Sequence, residues 1–119
     1  DLVAKHIANA KFLDANLQGL NGISLIPRSS DSVSSSWLYT MHVQSRDAFM
    51  TFMQDQGIAT SKVHERNDKH DAFSDAYVDT LRGVDQFCET QISIPVGWWL
   101  TKKNLEDIVN AVIKFSQKK

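Results

Sequence analysis

Apolar residues recur at three- and four-residue steps along the first twenty positions: Val3, Ile7, Ala10, Leu13, Leu17 and Leu20. That spacing lines one face of a helix and leaves Lys5, Asn9, Asp14 and Gln18 on the other, so Leu2 to Leu20 is predicted helical. Gly19 and the Asn21-Gly22 pair supply the stop and the turn. Ile23 to Ile26 is a short apolar run closed by Pro27, the mark of an edge strand. Arg28 to Ser36 is a loop rich in Ser and Asp, with nothing to build a core. The period then changes. Trp37, Tyr39, Met41 and Val43 alternate with Leu38, Thr40 and His42, which predicts a strand with Trp37 and Tyr39 in the core. Ser45 reads as an N-cap and Asp47 falls in the first turn, where the helix dipole favours it. The helix from Arg46 to Gln56 turns Phe49, Phe52 and Met53 inward. Gly57 stands where a left-handed C-cap is expected, with Ile58 beyond it for the accompanying apolar contact.

Ile58 to Val63 reads as a further strand. Strand, helix and strand then form a βαβ unit, expected to cross over right-handed. It delivers a polar cluster: His64, Glu65, Arg66, Asn67, Asp68 and His70. Asp71 to Leu81 is predicted partly helical from the spacing of Phe73, Tyr77 and Leu81, and Asp85 to Glu89 another turn. Ile92, Ile94 and Val96 alternate with Ser93 and Pro95, an edge-strand pattern that Pro95 curtails. Gly97-Trp98-Trp99 is a turn with two large aromatics, one expected in the core and one at an interface. Thr101 caps a closing helix from Lys102 to Gln117, whose stripe is Leu105, Ile108, Val109, Val112 and Ile113. The order predicts an α+β domain, a small, mostly antiparallel sheet with helices packed on it. A chain of 119 residues without internal repeats makes one such domain.

Composition narrows the function. A net charge of -1 and the lack of a basic run argue against a nucleic-acid partner, which would need clustered Lys and Arg. No apolar stretch approaches the roughly 20 residues that cross a bilayer, so no membrane association is expected. Cys88 is the single cysteine and cannot form an internal disulfide, which makes the cytoplasm the expected compartment. The chain opens at Asp1 and enters a helical pattern at once, as expected of a piece of something longer.

Three kinds of chemistry deserve weighing around the polar cluster. His64 and His70 with Asp68 and Asp71 contain metal-ligand types, but the spacing matches no helix-face pair and no metal is expected. Ser61 near His64 lacks the glycine-rich elbow of a nucleophile, and Cys88 beside Phe87 reads as an inert thiol, so no catalytic residue is assigned. The remaining reading is binding. Arg66 offers a planar fork for phosphate or carboxylate, Asn67 reads hydroxyls and amides, and His64 and His70 add donors near neutral pH. Such a set suits an anionic, hydroxyl-rich ligand. Against it stands the plainer reading that Glu65, Arg66, Asp68 and Lys69 are solvated surface charges.

Several segments then fall in a characteristic order: Ser36-Trp37-Leu38-Tyr39, Ser45-Arg46-Asp47-Ala48-Phe49-Met50, Gly57-Ile58-Ala59-Thr60, Val63-His64-Glu65-Arg66-Asn67-Asp68 and Ile94-Pro95-Val96-Gly97-Trp98-Trp99. That order resembles the C-terminal part of the DegT/DnrJ/EryC1/StrS family of PLP-dependent sugar aminotransferases, over nearly the whole chain. The resemblance implies the small domain of a fold-type-I aminotransferase, dimeric when intact. Such enzymes move an amino group from an amino acid, typically glutamate, to a keto group of a nucleotide-linked sugar, with PLP supplying the chemistry. The family's large domain, with its PLP lysine, would precede Asp1. None of the lysines present is assigned the Schiff-base role, and residues 1–119 alone are expected to be inactive and to bind no PLP. His64 and His70 match the family's two loop histidines, and Glu65-Arg66-Asn67-Asp68 replaces the usual aromatic and proline pattern between them. By this resemblance His64, Arg66, Asn67 and His70 are the expected substrate-side residues. The rivals are a free-standing α+β ligand-binding or regulatory module, and an interaction domain anchored by Trp98 and Trp99.

Overall fold

The computed structural model describes residues 1–118. Helix α1 runs Leu2–Leu17, capped by the Asp1 carboxylate, which accepts from the Val3 amide at 3.0 Å. Strands β1 (Ile23–Leu25), β2 (Tyr39–Val43) and β3 (Gln91–Ile94) form an antiparallel sheet in the order β1-β2-β3. Helix α2 is Arg46–Asp55, α3 is Arg82–Thr90 and α4 is Lys102–Ser116. Two 3-10 turns, Asn67–Lys69 and Asp71–Ala76, lie between α2 and α3. The fold is the predicted α+β arrangement.

Strand β2 alternates as its sequence requires. Tyr39, Met41 and Val43 are buried and face α1, α2 and α4, while Thr40 and His42 look the other way, where α3 lies. The inner face packs on Ala10, Leu13 and Leu17 of α1, Phe49, Phe52 and Met53 of α2, and Leu105, Ile108, Val109 and Val112 of α4. Three of the positions assigned to the polar side or first turn of α1 behave otherwise. Val3, expected on the apolar face, is exposed. Asn9 and Asp14 tie the helix down: Asn9 Nδ2 donates to the carbonyls of Val96 and Gly97, and the Tyr39 hydroxyl donates to Asp14 at 2.8 Å. Burial, followed by that contact, pushes the Tyr39 phenol well above its ordinary range.

The left-handed cap of α2 is present. Gly57 has φ 73°, and the Ile58 amide reaches back to the Met53 carbonyl at 2.9 Å. The strand expected over Ile58 to Val63 shrinks to one antiparallel bridge, in which Ser61 and Ser93 exchange both main-chain hydrogen bonds at 3.1 and 2.9 Å. Ser61, Lys62 and Val63 are exposed, so no second apolar side chain holds the segment against β3. It still runs in the direction of β2 with β3 between them, since both pair antiparallel to β3. The turn foreseen at Asp85 to Glu89 belongs to the longer α3, which runs straight into β3.

The tryptophans depart furthest from expectation. Trp37 lies in the bend before β2 and is 69% exposed, and Trp98 and Trp99 are both exposed. Thr101 and Asn104 form a reciprocal capping box on α4. No helix among the described residues is long and apolar enough to cross a membrane.

Candidate functional site

Past Ser61 the chain leaves the sheet and is fastened at two points. The Gln91 amide, fully buried at the start of β3, donates from Nε2 to the His64 carbonyl at 2.8 Å. Its Oε1 has no hydrogen-bond partner among the described residues. The second fastening is Arg66, which is 4% exposed. Its Nε donates to Asp68 Oδ1 at 2.9 Å and Nη1 to Asp85 Oδ1 at 2.7 Å, while Nη2 reaches Asp68 Oδ2 and the Val78 carbonyl. Four of the guanidinium's five N–H groups are thereby used inside the chain. The Tyr77 ring stacks 5.7 Å away. The two carboxylates also accept from the main chain, Asp68 from Val78 and Asp85 from Leu81. One cation thus closes the segment from 66 to 85 into a ring.

The electrostatics follow from these bonds. Arg66 holds the Asp68 carboxyl down to about 2 and lowers Asp85 in the same sense, and the two carboxylates raise the guanidinium in return. The fork expected to face a ligand therefore points into the loop. His64 takes a different position, lining a cleft of about 380 Å³ with Arg46, Lys62, Lys69, Cys88 and Glu89. His70 lines a separate groove with Asp71, Ser74 and Tyr77. Asn67 is exposed at the start of the first 3-10 turn. The four residues share one loop, but His64 and His70 do not meet in one cleft. Ser61 is engaged through its main chain with Ser93, and Cys88 is half-buried at the cleft wall, its carbonyl accepting from Arg46. No group of three His, Cys, Asp or Glu among the described residues is placed to hold a metal ion.

His42 is the residue that sequence reasoning passed over. It lines a neighbouring groove of about 410 Å³ with Ser24, Gln44, Gln86, Phe87 and Thr90. The Thr90 hydroxyl donates its one proton to the Gln86 carbonyl, so at 2.8 Å it accepts from His42 Nδ1–H. The Phe87 ring, which lines this groove, lies 5.0 Å from the His42 ring and 6.3 Å from the His64 ring. The available signal was the polar residue at every second position of β2.

Comparison with known proteins decides what this scaffold is. Residues 1–113 match the model of the DegT/DnrJ/EryC1/StrS aminotransferase family. The chain belongs to that family. Among solved structures, the sugar aminotransferase CalS13 from Micromonospora echinospora is 38% identical with a TM-score of 0.90, over 95% of this chain and 30% of that one. AtS13 from Actinomadura melliaura is 34% identical at the same TM-score and coverage. DesV from S. venezuelae, solved with a ketimine intermediate, superposes at a TM-score of 0.92 with 21% identity over 99% of this chain and 33% of its own, a likeness of fold. The chain thus spans about 30% of the length of each of CalS13 and AtS13. No curated protein shows significant similarity.

The described residues do not fit PLP. A lysine that holds it has to be desolvated or set beside another cation to act as a nucleophile. Every described lysine of this family member is exposed, and Lys103 is pushed the opposite way, upward, by Asp107.

Proposed function

We propose that this chain is the small domain of a PLP-dependent sugar aminotransferase, dimeric when intact. In the parent protein an amino group passes from glutamate to the keto group of a nucleotide-linked sugar. PLP and its lysine belong to the rest of that protein. The observation that carries this reading is the likeness to CalS13 across 95% of the chain at 38% identity.

The part assigned to this domain is to hold the substrate. His64 faces a cleft whose walls carry Arg46, Lys62 and Lys69 together with Glu65 and Glu89, donors for phosphate and hydroxyl oxygens beside acceptors for hydroxyl protons. Asn67 and His70 lie farther along the same loop, His70 in its own groove, and are assigned to outer parts of the substrate. Arg66, expected among the contacts, serves by fixing the loop that carries them.

The test is an assay of the parent protein with glutamate and a panel of UDP- and dTDP-linked keto sugars. Release of 2-oxoglutarate with formation of an amino sugar, read by mass spectrometry, is the expected result. His64→Ala should raise KM for the nucleotide sugar roughly tenfold and leave KM for glutamate unchanged. An unchanged sugar KM would sink the site assignment. Micromolar binding of a nucleotide sugar by residues 1–119 alone would favour a free-standing binding module instead.

A further inference from the structure

We propose that the aromatic end of this domain, where Trp99 meets His6, Trp98 meets Trp99 and Trp37 follows the Ser36 that His6 bonds, is the face on which the remainder of the parent polypeptide packs. This rests on the chain being part of a longer protein, and not on the reaction that protein catalyses.

The three rings are 69%, 45% and 62% exposed, and Leu2 and Val3 beside them are 54% and 49% exposed. His6 is the hub. Its Nδ1 lies 3.0 Å from the Ser36 carbonyl, which only accepts, so Nδ1 carries the proton. Trp99 meets the His6 ring edge-on at 6.2 Å, and Trp98 meets Trp99 edge-on at 6.0 Å. Leu2 and Val3 stand one helical turn before His6 on the same side of α1.

The backbone that presents these rings is built for the purpose. Ser36 is buried with φ 53°, a left-handed conformation unfavourable to a residue with a Cβ, and Trp37 follows it directly. On the other side Asn9 Nδ2 clamps the turn by donating to the carbonyls of Val96 and Gly97, at 3.1 and 2.9 Å. The Trp99 ring lies so close over Gly97 that a Cβ there would sit 2.1 Å from it. A strained residue, a clamped turn and a glycine under a ring keep the aromatics outward, although a core is available a few residues away.

Size selects the occupant. The exposed parts of three tryptophan rings amount to on the order of 400 Å². A domain interface within one chain buries about 600–1,500 Å² in total, half from each side, whereas obligate homodimers bury 2,000 Å² and more. The patch matches the first. Sequence-similar family members are about three times as long as this chain, with 30% of each matched, which provides the polypeptide to cover it. The patch also lies at the C-terminal end of β3, away from His64 at its other end, so it is separate from the proposed substrate cleft.

Cysteine labelling tests this. In a Cys88→Ser background, Trp98→Cys is introduced into residues 1–119 and into the parent protein, and the rate of maleimide modification is compared. Labelling at least about tenfold slower in the parent, and independent of concentration in the shorter chain, is the expected result. Equal rates would overturn the proposal, and so would labelling of the shorter chain that slows as its concentration rises, which would make a second copy the occupant. Amide hydrogen exchange at residues 36–38 and 97–100 of the unsubstituted proteins gives the same comparison without relying on the variant's folding. Equal exchange there also counts against the idea.

Discussion

Arg66 is the most connected side chain of the loop, and it works as a fastener. A carboxylate lowered to about 2 by such a cation stabilises the folded loop fully above its ordinary value, 3.8, and loses that contribution as the pH falls through the folded one. The loop should therefore stay closed down to about pH 4 and open between there and about pH 2. The Val78 amide donates to Asp68, so its proton shift reports the change directly. A midpoint near 2 is expected, with no such transition in Asp68→Asn, and a midpoint near 3.8 would refute the pairing. The charges at 64–70 were visible in the sequence, but Arg66's second partner, Asp85, lies nineteen positions along the chain. No local pattern announces a contact of that separation.

The clearest element-level legibility is at the end of α2. A glycine after an amphipathic run predicts a left-handed cap, and Gly57 takes it with open space where a Cβ would stand. Gly57→Ala should therefore carry only the conformational cost, about 1 kcal/mol, read as a lower urea midpoint at unchanged m-value. No change in midpoint would show that the cap does not contribute. Periodicity likewise placed α1, β1, β2, α2 and α4 close to their observed bounds. The reading failed over Ile58 to Val63, where Ser61, Lys62 and Val63 are exposed and leave too little buried surface to hold a strand. Only the Ser61 bridge survives, and the chain is freed to curl around Arg66.

Across the whole molecule, the sheet separates two working ends. Gln91 fastens the loop at the start of β3, and the tryptophan turn follows the strand's other end, roughly 10 Å or more away at about 3.3 Å per residue. Gln91→Leu and Trp99→Ala should then be additive in unfolding free energy within about 0.5 kcal/mol. A coupling above about 1 kcal/mol would mean that the two ends are not independent. The sequence by itself determined the α+β class, the helices and the central strand, because these depend on the spacing of apolar residues within a few turns. The order of short segments from Ser36 to Trp99 also pointed to the family that the match over residues 1–113 shows. Tertiary structure alone decided which polar residues face outward and which face in. Arg66 turns inward because two carboxylates and a carbonyl converge on it, His42 becomes a groove residue because α3 crosses its side of the sheet, and the tryptophans leave the core because Ser36 and Gly97 bend the chain beneath them. Each of these depends on contacts between elements far apart in the chain, and such contacts leave no periodic trace.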